Sequence, residues 1–174
     1  MKIWMNKLTT KTLVTTLFLS LAGLTAQAMP SGNNSITGLL GFSQSAVNFG
    51  VNYENRIDST LGLGGFFHYS AEKKDAGKPQ TTAFGVMTPG HLIDSSRMDI
   101  YLAPGFGVTM IKGIDGSRFS EDQTTFGPMW KIGFLFRMTS NVKVGLEQMQ
   151  LINWFTDKAF DNAFYTNAAV NIGF

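Results

Sequence analysis

The sequence contains no cysteine, so it can form neither a disulfide bond nor a thiolate metal site. Beyond residue 28 it also has no apolar run long enough to cross a bilayer as a helix. Blocks of alanine, leucine, glutamate and lysine, which favour helices, are scarce, whereas glycine and phenylalanine occur 19 and 15 times. Such a composition is typical of a β protein.

The amino-terminal segment has the order of a secretory signal peptide. The chain begins with a segment that contains three lysines and no acid. An apolar core follows over residues 13–24, and after it come the small residues of "AQA" (26–28). The core is shorter than a membrane helix, and the small residues suit a signal peptidase. The sequence therefore predicts a signal peptide over residues 1–28 and one domain over residues 29–174; an uncleaved amphipathic or anchoring helix is the alternative.

The charge balance gives no indication of a nucleic-acid partner. The whole chain carries 14 basic and 12 acidic side chains. All charges of the predicted signal peptide are lysines, so the remaining domain has one more acid than base. The basic pI thus belongs largely to the signal peptide, and no anionic partner is predicted.

Most of the chain beyond residue 28 alternates between apolar and polar residues, as a strand with one apolar face does. Eight such stretches run over residues 36–43, 46–57, 61–71, 81–92, 98–111, 126–138, 142–154 and 163–174. Each is close to the length that a tilted strand needs to cross a bilayer, and their number is even. The last one ends on an aromatic residue, Phe174, which suits a membrane interface.

The connections between these stretches alternate in length. Short turns lie at 58–60, 93–97 and 139–141, and longer charged loops lie at 72–80, 113–125 and 155–162. The first hairpin, around residues 44–45, departs from this pattern, because its connection is short although it lies on the same side as the longer loops. The asymmetry is typical of outer-membrane barrels. The sequence thus predicts an all-β, eight-stranded antiparallel up-and-down transmembrane β-barrel in the bacterial outer membrane, with both termini periplasmic.

Hairpin geometry assigns the polar residues to the barrel lumen. The turn at 139–141 places Arg137 opposite Lys143 and Glu147 opposite a glycine, and the turn at 58–60 places Glu54 and Arg56 opposite glycines. Nine glycines fall on the polar face: Gly62, Gly64, Gly85, Gly105, Gly107, Gly127, Gly133, Gly145 and Gly173. A narrow barrel takes such small residues where larger neighbours fill its lumen, whereas a solvated face has no reason to prefer them.

A soluble β-sandwich or lipocalin-like barrel, with the apolar face inside, fits the same alternation and stays open as an alternative. Pro89, Pro104 and Pro128 also lie within predicted strands. There each proline removes a hydrogen-bond donor from a structure that has no edge. Bulges or bends beside the neighbouring glycines would absorb this loss.

The stretches "IYLAPGFGVTM" and "WKIGFLFRMTSNVKVGLEQMQL" and the last strand ending in phenylalanine resemble the small outer-membrane β-barrel proteins of the opacity-protein-like superfamily. Members tend to show an aromatic-then-glycine strand, and then a glycine-aromatic-basic strand that turns into a strand with a glutamate. The resemblance implies the barrel fold rather than an activity. It also implies that Phe174 is the signal by which barrel-assembly machinery recognises the chain during biogenesis.

The lumenal face carries the first candidate site, a charge network of Glu54, Arg56, His91, Asp99, Lys131, Arg137, Lys143 and Glu147. Glu147 is expected diagonal to Lys131, and His91 is expected opposite Asp99. An unpaired charge in a low-dielectric lumen is costly, so these groups are expected to pair. They either fill the barrel as a structural network or line a path for ions or solutes; the narrowness of eight strands favours the first interpretation.

The second candidate site is the pair His68 and Ser70 in "FFHYSAE". A histidine that activates a serine hydroxyl is a nucleophilic pair, and this one resembles the pair of the outer-membrane lipid A deacylases. That family has its motif late in the chain with an acid from a neighbouring strand, whereas here the acid at hand is Glu72. Both side chains are expected to face the lumen rather than the acyl chains, so catalysis is not the expected role.

No metal site or cofactor is predicted, because two histidines on separate strands and the acidic loop at 113–125 lack the spacing of a ligand set. The sequence predicts a monomeric, non-enzymatic integral barrel, surrounded by outer-membrane lipid, with a side-chain-filled lumen. Its expected role is structural or in surface interaction through the outer loops. Two alternatives remain: a narrow channel for ions or small solutes, and a lipid-modifying enzyme that uses His68 and Ser70.

Overall fold

The computed structural model describes residues 32–43, 46–72, 79–113, 121–154 and 162–174. The predicted signal peptide lies outside the described residues, as do most of the longer loops. No helix in the described part of the chain is long and apolar enough to cross a membrane.

The described segments form strands that pair antiparallel with their neighbours. They are β1 (Asn34–Ser43), β2 (Ala46–Arg56), β3 (Gly62–Ser70), β4 (Gln80–Met87), β5 (Gly90–Asp94), β6 (Met98–Lys112), β7 (Gln123–Arg137), β8 (Val142–Ile152) and β9 (Asn162–Gly173). Both β4 and β5 pair with β6, so together they make one barrel strand that is interrupted at residues 88–89. Pairing of β1 with β9 closes the eight-stranded barrel. The predicted fold class is confirmed.

The hairpin registers follow the sequence prediction where the strands are regular. Arg137 pairs with Lys143, and Glu54 pairs with a glycine, as predicted. The predicted opposition of His91 and Asp99 is wrong, because β5 continues into the predicted turn and Asp94 pairs with Asp99; a bulge between His91 and Ile93 then shifts the register by one residue. His91 therefore lies opposite Tyr101 of β6 and not opposite Asp99. A bulge adds one residue to one strand, and period-two alternation does not reveal it.

Two of the three prolines meet at the interruption of the fourth barrel strand. Pro89 lies between β4 and β5, and its carbonyl accepts a hydrogen bond from the Gly62 N–H at 2.8 Å. Pro104 lies directly across in β6, where its carbonyl accepts from the Thr88 N–H at 2.9 Å. The ladder has no regular pair at this point, so the missing proline donors leave the rest of the sheet intact.

Pro128 marks a second irregular point. It pairs with Phe106 on one side, but regular pairing of β7 with β8 begins only at the next residue, Met129. Beyond it, a single bridge joins Phe126 to Trp154, whose N–H donates to the Phe126 carbonyl at 2.9 Å. All three prolines therefore lie where a ladder stops or restarts.

Side chains alternate between the outside of the barrel and its lumen. The outward positions are large and apolar, and include Leu40, Phe42, Phe49, Leu63, Phe67, Val86, Phe106, Trp130, Phe134, Phe136, Leu146, Val170 and Ile172. The lumen holds the buried charges as well as an apolar cluster. A soluble barrel would reverse this distribution, so the alternative of a soluble sandwich or lipocalin-like fold is wrong. The apolar outer surface instead matches the hydrocarbon of a bilayer.

Asp58 organises the turn between β2 and β3, and gives a first testable prediction. Its Oδ1 atom accepts hydrogen bonds from the Thr60 N–H at 2.6 Å and the Leu61 N–H at 2.8 Å. The bond from Thr60 is the main reason that the pKa of the Asp58 carboxyl lies below its usual range. A lowered folded-state pKa means that the contribution to stability is present above the unfolded-state pKa and is lost as pH falls through the folded value.

We expect an NMR titration of carboxyl carbons to give Asp58 a lower midpoint in the folded protein than in a short peptide of the same turn. Replacing Thr60 with valine removes the hydrogen bond from the Thr60 hydroxyl to Asp58 but keeps the one from the Thr60 N–H. This variant should move the midpoint of Asp58 only part of the way toward the peptide value. A folded-state midpoint equal to that of the peptide would contradict the capping role.

Candidate functional site: the barrel lumen

A layer of ion pairs occupies the turn end of the lumen, meaning the end that holds both described chain ends and the connections 57–61, 95–97 and 138–141. Arg56 lies at its centre. Its guanidinium forms ion pairs with Asp94, with Asp99 at 3.1 Å and with Glu54 at 3.6 Å. It reaches this position because β2 ends there, with Arg56 opposite Gly62 in the last pair of the hairpin. One cation thus joins acids from three strands.

The imidazole of His91 bridges two of these carboxylates. Its Nδ1 atom lies 2.6 Å from Asp99 Oδ1, and its Nε2 atom lies 2.8 Å from Glu54 Oε1. Regular pairing with Tyr101 turns this side chain into the lumen, although its backbone is not opposite Asp99. The two residues are therefore in contact, but through a geometry different from the one predicted.

The same layer is completed from β7 and β8. Lys143 Nζ lies 2.5 Å from Asp99 Oδ2, and Arg137 Nη2 lies 2.7 Å from Asp94 Oδ1. Asp94 contacts cations of β2, β7 and, at 4.0 Å, β8. The sequence reasoning missed Asp94 and assigned it to a turn, since the bulge that carries it into the lumen has no pattern in the sequence.

A second buried pair, Lys131 and Glu147, lies deeper in the lumen. Lys131 Nζ is 3.3 Å from Glu147 Oε2, diagonally across the β7–β8 hairpin as predicted. Asn52 donates to Glu147 Oε2 at 2.8 Å and accepts from Lys131 Nζ at 2.7 Å, and the Tyr101 hydroxyl donates to the other carboxylate oxygen. All four side chains are buried. The carboxylate is thus both paired and hydrogen-bonded, as a buried charge must be.

Nothing in the sequence indicated that Asn52 joins this pair. Contacts such as Asn52–Glu147 join residues that are 95 positions apart on strands that are not neighbours. A register within one hairpin cannot show them.

The pair His68 and Ser70 lies nearer the loop end, the opposite end of the lumen. Both side chains face inward and are buried, and neither has a hydrogen-bond partner among the described residues. The His68 ring instead packs against the Tyr165 ring, with centroids 4.8 Å apart. Glu72 is exposed beyond the end of β3. The imidazole–hydroxyl hydrogen bond of a nucleophilic pair is therefore not formed in the described structure.

The lumenal glycines accommodate specific large side chains. A Cβ atom on Gly133 would collide with the Tyr101 ring, and one on Gly107 would lie 2.7 Å from Phe66 Cζ. A Cβ on Gly62 would likewise collide with the Glu54 carboxylate. The expectation that small residues lie where larger neighbours intrude is confirmed at these positions.

A small cleft lies at the turn end of the described lumen. This cleft lies between the ion-pair layer and the last residues of β9. Its volume of about 20 Å³ gives room for about one or two water molecules. No group of three or more potential metal-ligating side chains (histidine, cysteine, aspartate or glutamate) suited to a metal ion occurs among the described residues. As arranged, these residues neutralise one another and fill the barrel.

Phe174 is held at the turn end by the first strand. Its N–H donates to the Asn34 carbonyl at 2.8 Å, and its carbonyl accepts from the Asn34 N–H at 3.1 Å. Its side chain is exposed on the outside of the barrel. These contacts close the sheet; a role in recognition by assembly machinery stays a prediction.

Comparison with known proteins places this architecture in a family. The model described as "Outer membrane protein beta-barrel domain" matches residues 15–174. No curated protein matches the chain significantly. The structure is similar to the N-terminal barrel domain of Pseudomonas aeruginosa OprF, with 12% identity, 82% of this chain and 98% of that chain covered, and a TM-score of 0.60.

Two further solved structures show how varied proteins with this fold are. Ail, the attachment invasion locus protein of Yersinia pestis, is 14% identical, with 82% of this chain and 97% of that chain covered and a TM-score of 0.55. The outer membrane enzyme PagL is also 14% identical, with 80% and 99% covered and a TM-score of 0.54. At such identities the likeness shows the fold alone.

Proposed function

The chain belongs to the outer-membrane β-barrel domain family, and from this premise we propose that it is a closed, non-enzymatic barrel that presents its longer loops at the cell surface. Its role is structural or in surface interaction, and outer-membrane lipid surrounds it. The turn end faces the periplasm and the loop end faces outward, as the asymmetry of the connections indicates. Barrel-assembly machinery is the partner proposed for its biogenesis.

The filled lumen is the observation that carries this proposal. Lys131 and Glu147 meet in the interior, and the Arg56 layer occupies the turn end. Each charge on this path is already paired with another side chain, so a passing ion would have to displace an existing partner. The channel alternative would need a continuous water path through both levels, and the charge pairing speaks against one.

No reaction is part of the proposal. His68 and Ser70 lack the hydrogen bond that would activate a serine, and both face the lumen rather than the lipid. The likeness to PagL is one of fold, and the same fold also carries an attachment protein, so it does not favour catalysis. The loops beyond the strands are left as the part of the surface that can meet a partner.

The conductance of the protein in a planar lipid bilayer tests the closed barrel. Refolded residues 29–174 should give no discrete openings, because charged and apolar side chains block the lumen at several levels. Insertion must be established independently, by resistance of the strands to protease and by the heat-dependent gel mobility of folded barrels.

Steady openings from inserted protein would overturn the proposal, and would make Glu54, Arg56, Lys131 and Glu147 the pore-lining residues. A folded protein that did not insert would instead contradict its placement in the membrane.

A further inference from the structure

The loop half of the lumen contains buried polar groups that the protein itself does not satisfy. Both ring nitrogens of His68 and the Ser70 and Thr109 hydroxyls have no hydrogen-bond partner among the described residues. Each of these three side chains is at most 2% exposed. None of them belongs to the ion-pair layer or to the Lys131–Glu147 pair.

These groups surround one region of the lumen. Asn48 lies opposite Ser70 on the neighbouring strand, and its amide meets the Asn167 amide at 2.5 Å over Gly41, which lies between them on β1. His68 and Thr109 lie in the same row of the sheet, on either side of Ala83, whose side chain is a single methyl group.

Leaving so many polar groups unsatisfied would be costly. Each buried donor or acceptor without a partner has lost its hydrogen bonds to water without compensation, and native proteins satisfy nearly all of theirs. Every group in this set is formally neutral when the histidine is neutral, and the set offers both donors and acceptors. Water is the ligand that matches this chemistry, because one molecule can both donate and accept and needs little room.

Toward the turn end, this polar region stops at an apolar layer. The layer consists of Phe66, Met129, Met149 and Leu151, and all four side chains are at most 4% exposed. The Phe66 ring lies over Gly107, where an added Cβ would be 2.7 Å both from Phe66 Cζ and from Leu151 Cδ1. On one side of Phe66 is His68, with ring centroids 6.1 Å apart; on the other is Lys131, whose Nζ is 5.8 Å from the Phe66 centroid.

We propose that the loop half of the lumen is a water-filled chamber, and that the apolar layer around Phe66 is the seal that separates it from the charged half. This inference rests on the closed barrel proposed above, and it identifies the apolar layer as the part that closes the lumen. A narrow apolar constriction excludes water and ions by dewetting. The paired charges below the layer add a second barrier, since a passing ion would have to displace an existing partner.

NMR of the refolded protein in detergent micelles or nanodiscs tests the chamber. The chain has two histidines, so His68 ring signals can be assigned by comparison with a His91→Gln variant. Water exchange or cross-relaxation should appear at the His68 ring and be absent at the Met149 methyl group. A His68 ring without contact to water would overturn the chamber, and a hydrated Met149 would overturn the seal.

Proton flux into liposomes tests the seal directly. Phe66→Ala should raise the flux at least about tenfold over wild type, the factor that ~1.4 kcal/mol off a permeation barrier gives. Phe67→Ala is the matched control, because it removes the same atoms from the adjacent, lipid-facing position. If Phe66→Ala does not fold, Leu151→Ala opens the same layer from the other side of Gly107.

The outcomes separate the two proposals. A folded Phe66→Ala or Leu151→Ala protein as tight as Phe67→Ala would overturn the seal while leaving the closed barrel standing. A wild-type protein that already conducts protons freely would overturn the closed barrel itself. Higher flux in the layer variants alone supports both.

Discussion

Replacing Lys131 with methionine should lower the free energy of unfolding by about 3–5 kcal/mol, because it leaves a buried carboxylate without its cation. Lys131 and Glu147 are 0% and 1% exposed, and their charged atoms are 3.3 Å apart. Methionine has a similar length, so the packing changes little and the loss reports the charge. Urea unfolding of the refolded protein in lipid vesicles, followed by tryptophan fluorescence, measures it.

Two further variants make this result specific. Lys112→Met removes a lysine from the exposed end of β6 and should change the stability by less than about 0.5 kcal/mol. The double variant Lys131→Met/Glu147→Gln should recover most of the loss, since the neutral amide can keep a hydrogen bond to Tyr101. Equal losses of stability in the single and double variants would show that the loss does not come from an unpaired Glu147 carboxylate.

Gly133→Val should be about as damaging, with a loss of about 3–5 kcal/mol or a failure to fold. Gly133 lies beneath the Tyr101 ring, and an added Cβ would lie 2.8 Å from the Tyr101 hydroxyl and closer still to the ring. Overpacking costs about 1–3 kcal/mol. Displacing the ring also breaks the hydrogen bond from Tyr101 to Glu147, which adds about 1.5–3 kcal/mol for a charged acceptor.

Gly38→Val is the control for this substitution. Gly38 is exposed on the outside of β1, and a Cβ there would meet nothing within 4 Å. Because valine suits a strand better than glycine, this variant should be neutral or slightly more stable. Tyr101→Phe separates the two parts of the Gly133 effect, since it removes the hydroxyl without crowding the lumen. A Gly133→Val protein as stable as Gly38→Val would refute the tight packing of the lumen.

Together these variants test one view of the molecule, in which the charged half of the lumen and the apolar layer are packed like the interior of a soluble protein. The charged half depends on pairing and the apolar layer on close packing against glycines. The outer face needs neither, because its apolar side chains are exposed and suit the lipid proposed to surround it. Substitutions of the same chemical type should therefore have large effects inside the barrel and small ones outside.

The sequence by itself determined the barrel and its two faces. Alternation with a period of two is a local property, and short turns such as the one at 139–141 fix the register of a hairpin, so the pairing of Arg137 with Lys143 could be read from the chain. The excess of glycine on the polar face correctly indicated large neighbouring side chains in the lumen, such as Tyr101 over Gly133. Both signals involve residues that are close in the chain.

Only the tertiary structure decided which lumenal side chains meet. The bulge in β5 carries Asp94 into the ion-pair layer, and an added residue in a strand leaves no mark on the alternation. Asn52 meets Glu147, and His68 meets Tyr165, across the closed barrel rather than along a hairpin. Such contacts depend on how far the strands are staggered when the sheet closes, and that stagger is a property of the whole barrel, not of any local pattern.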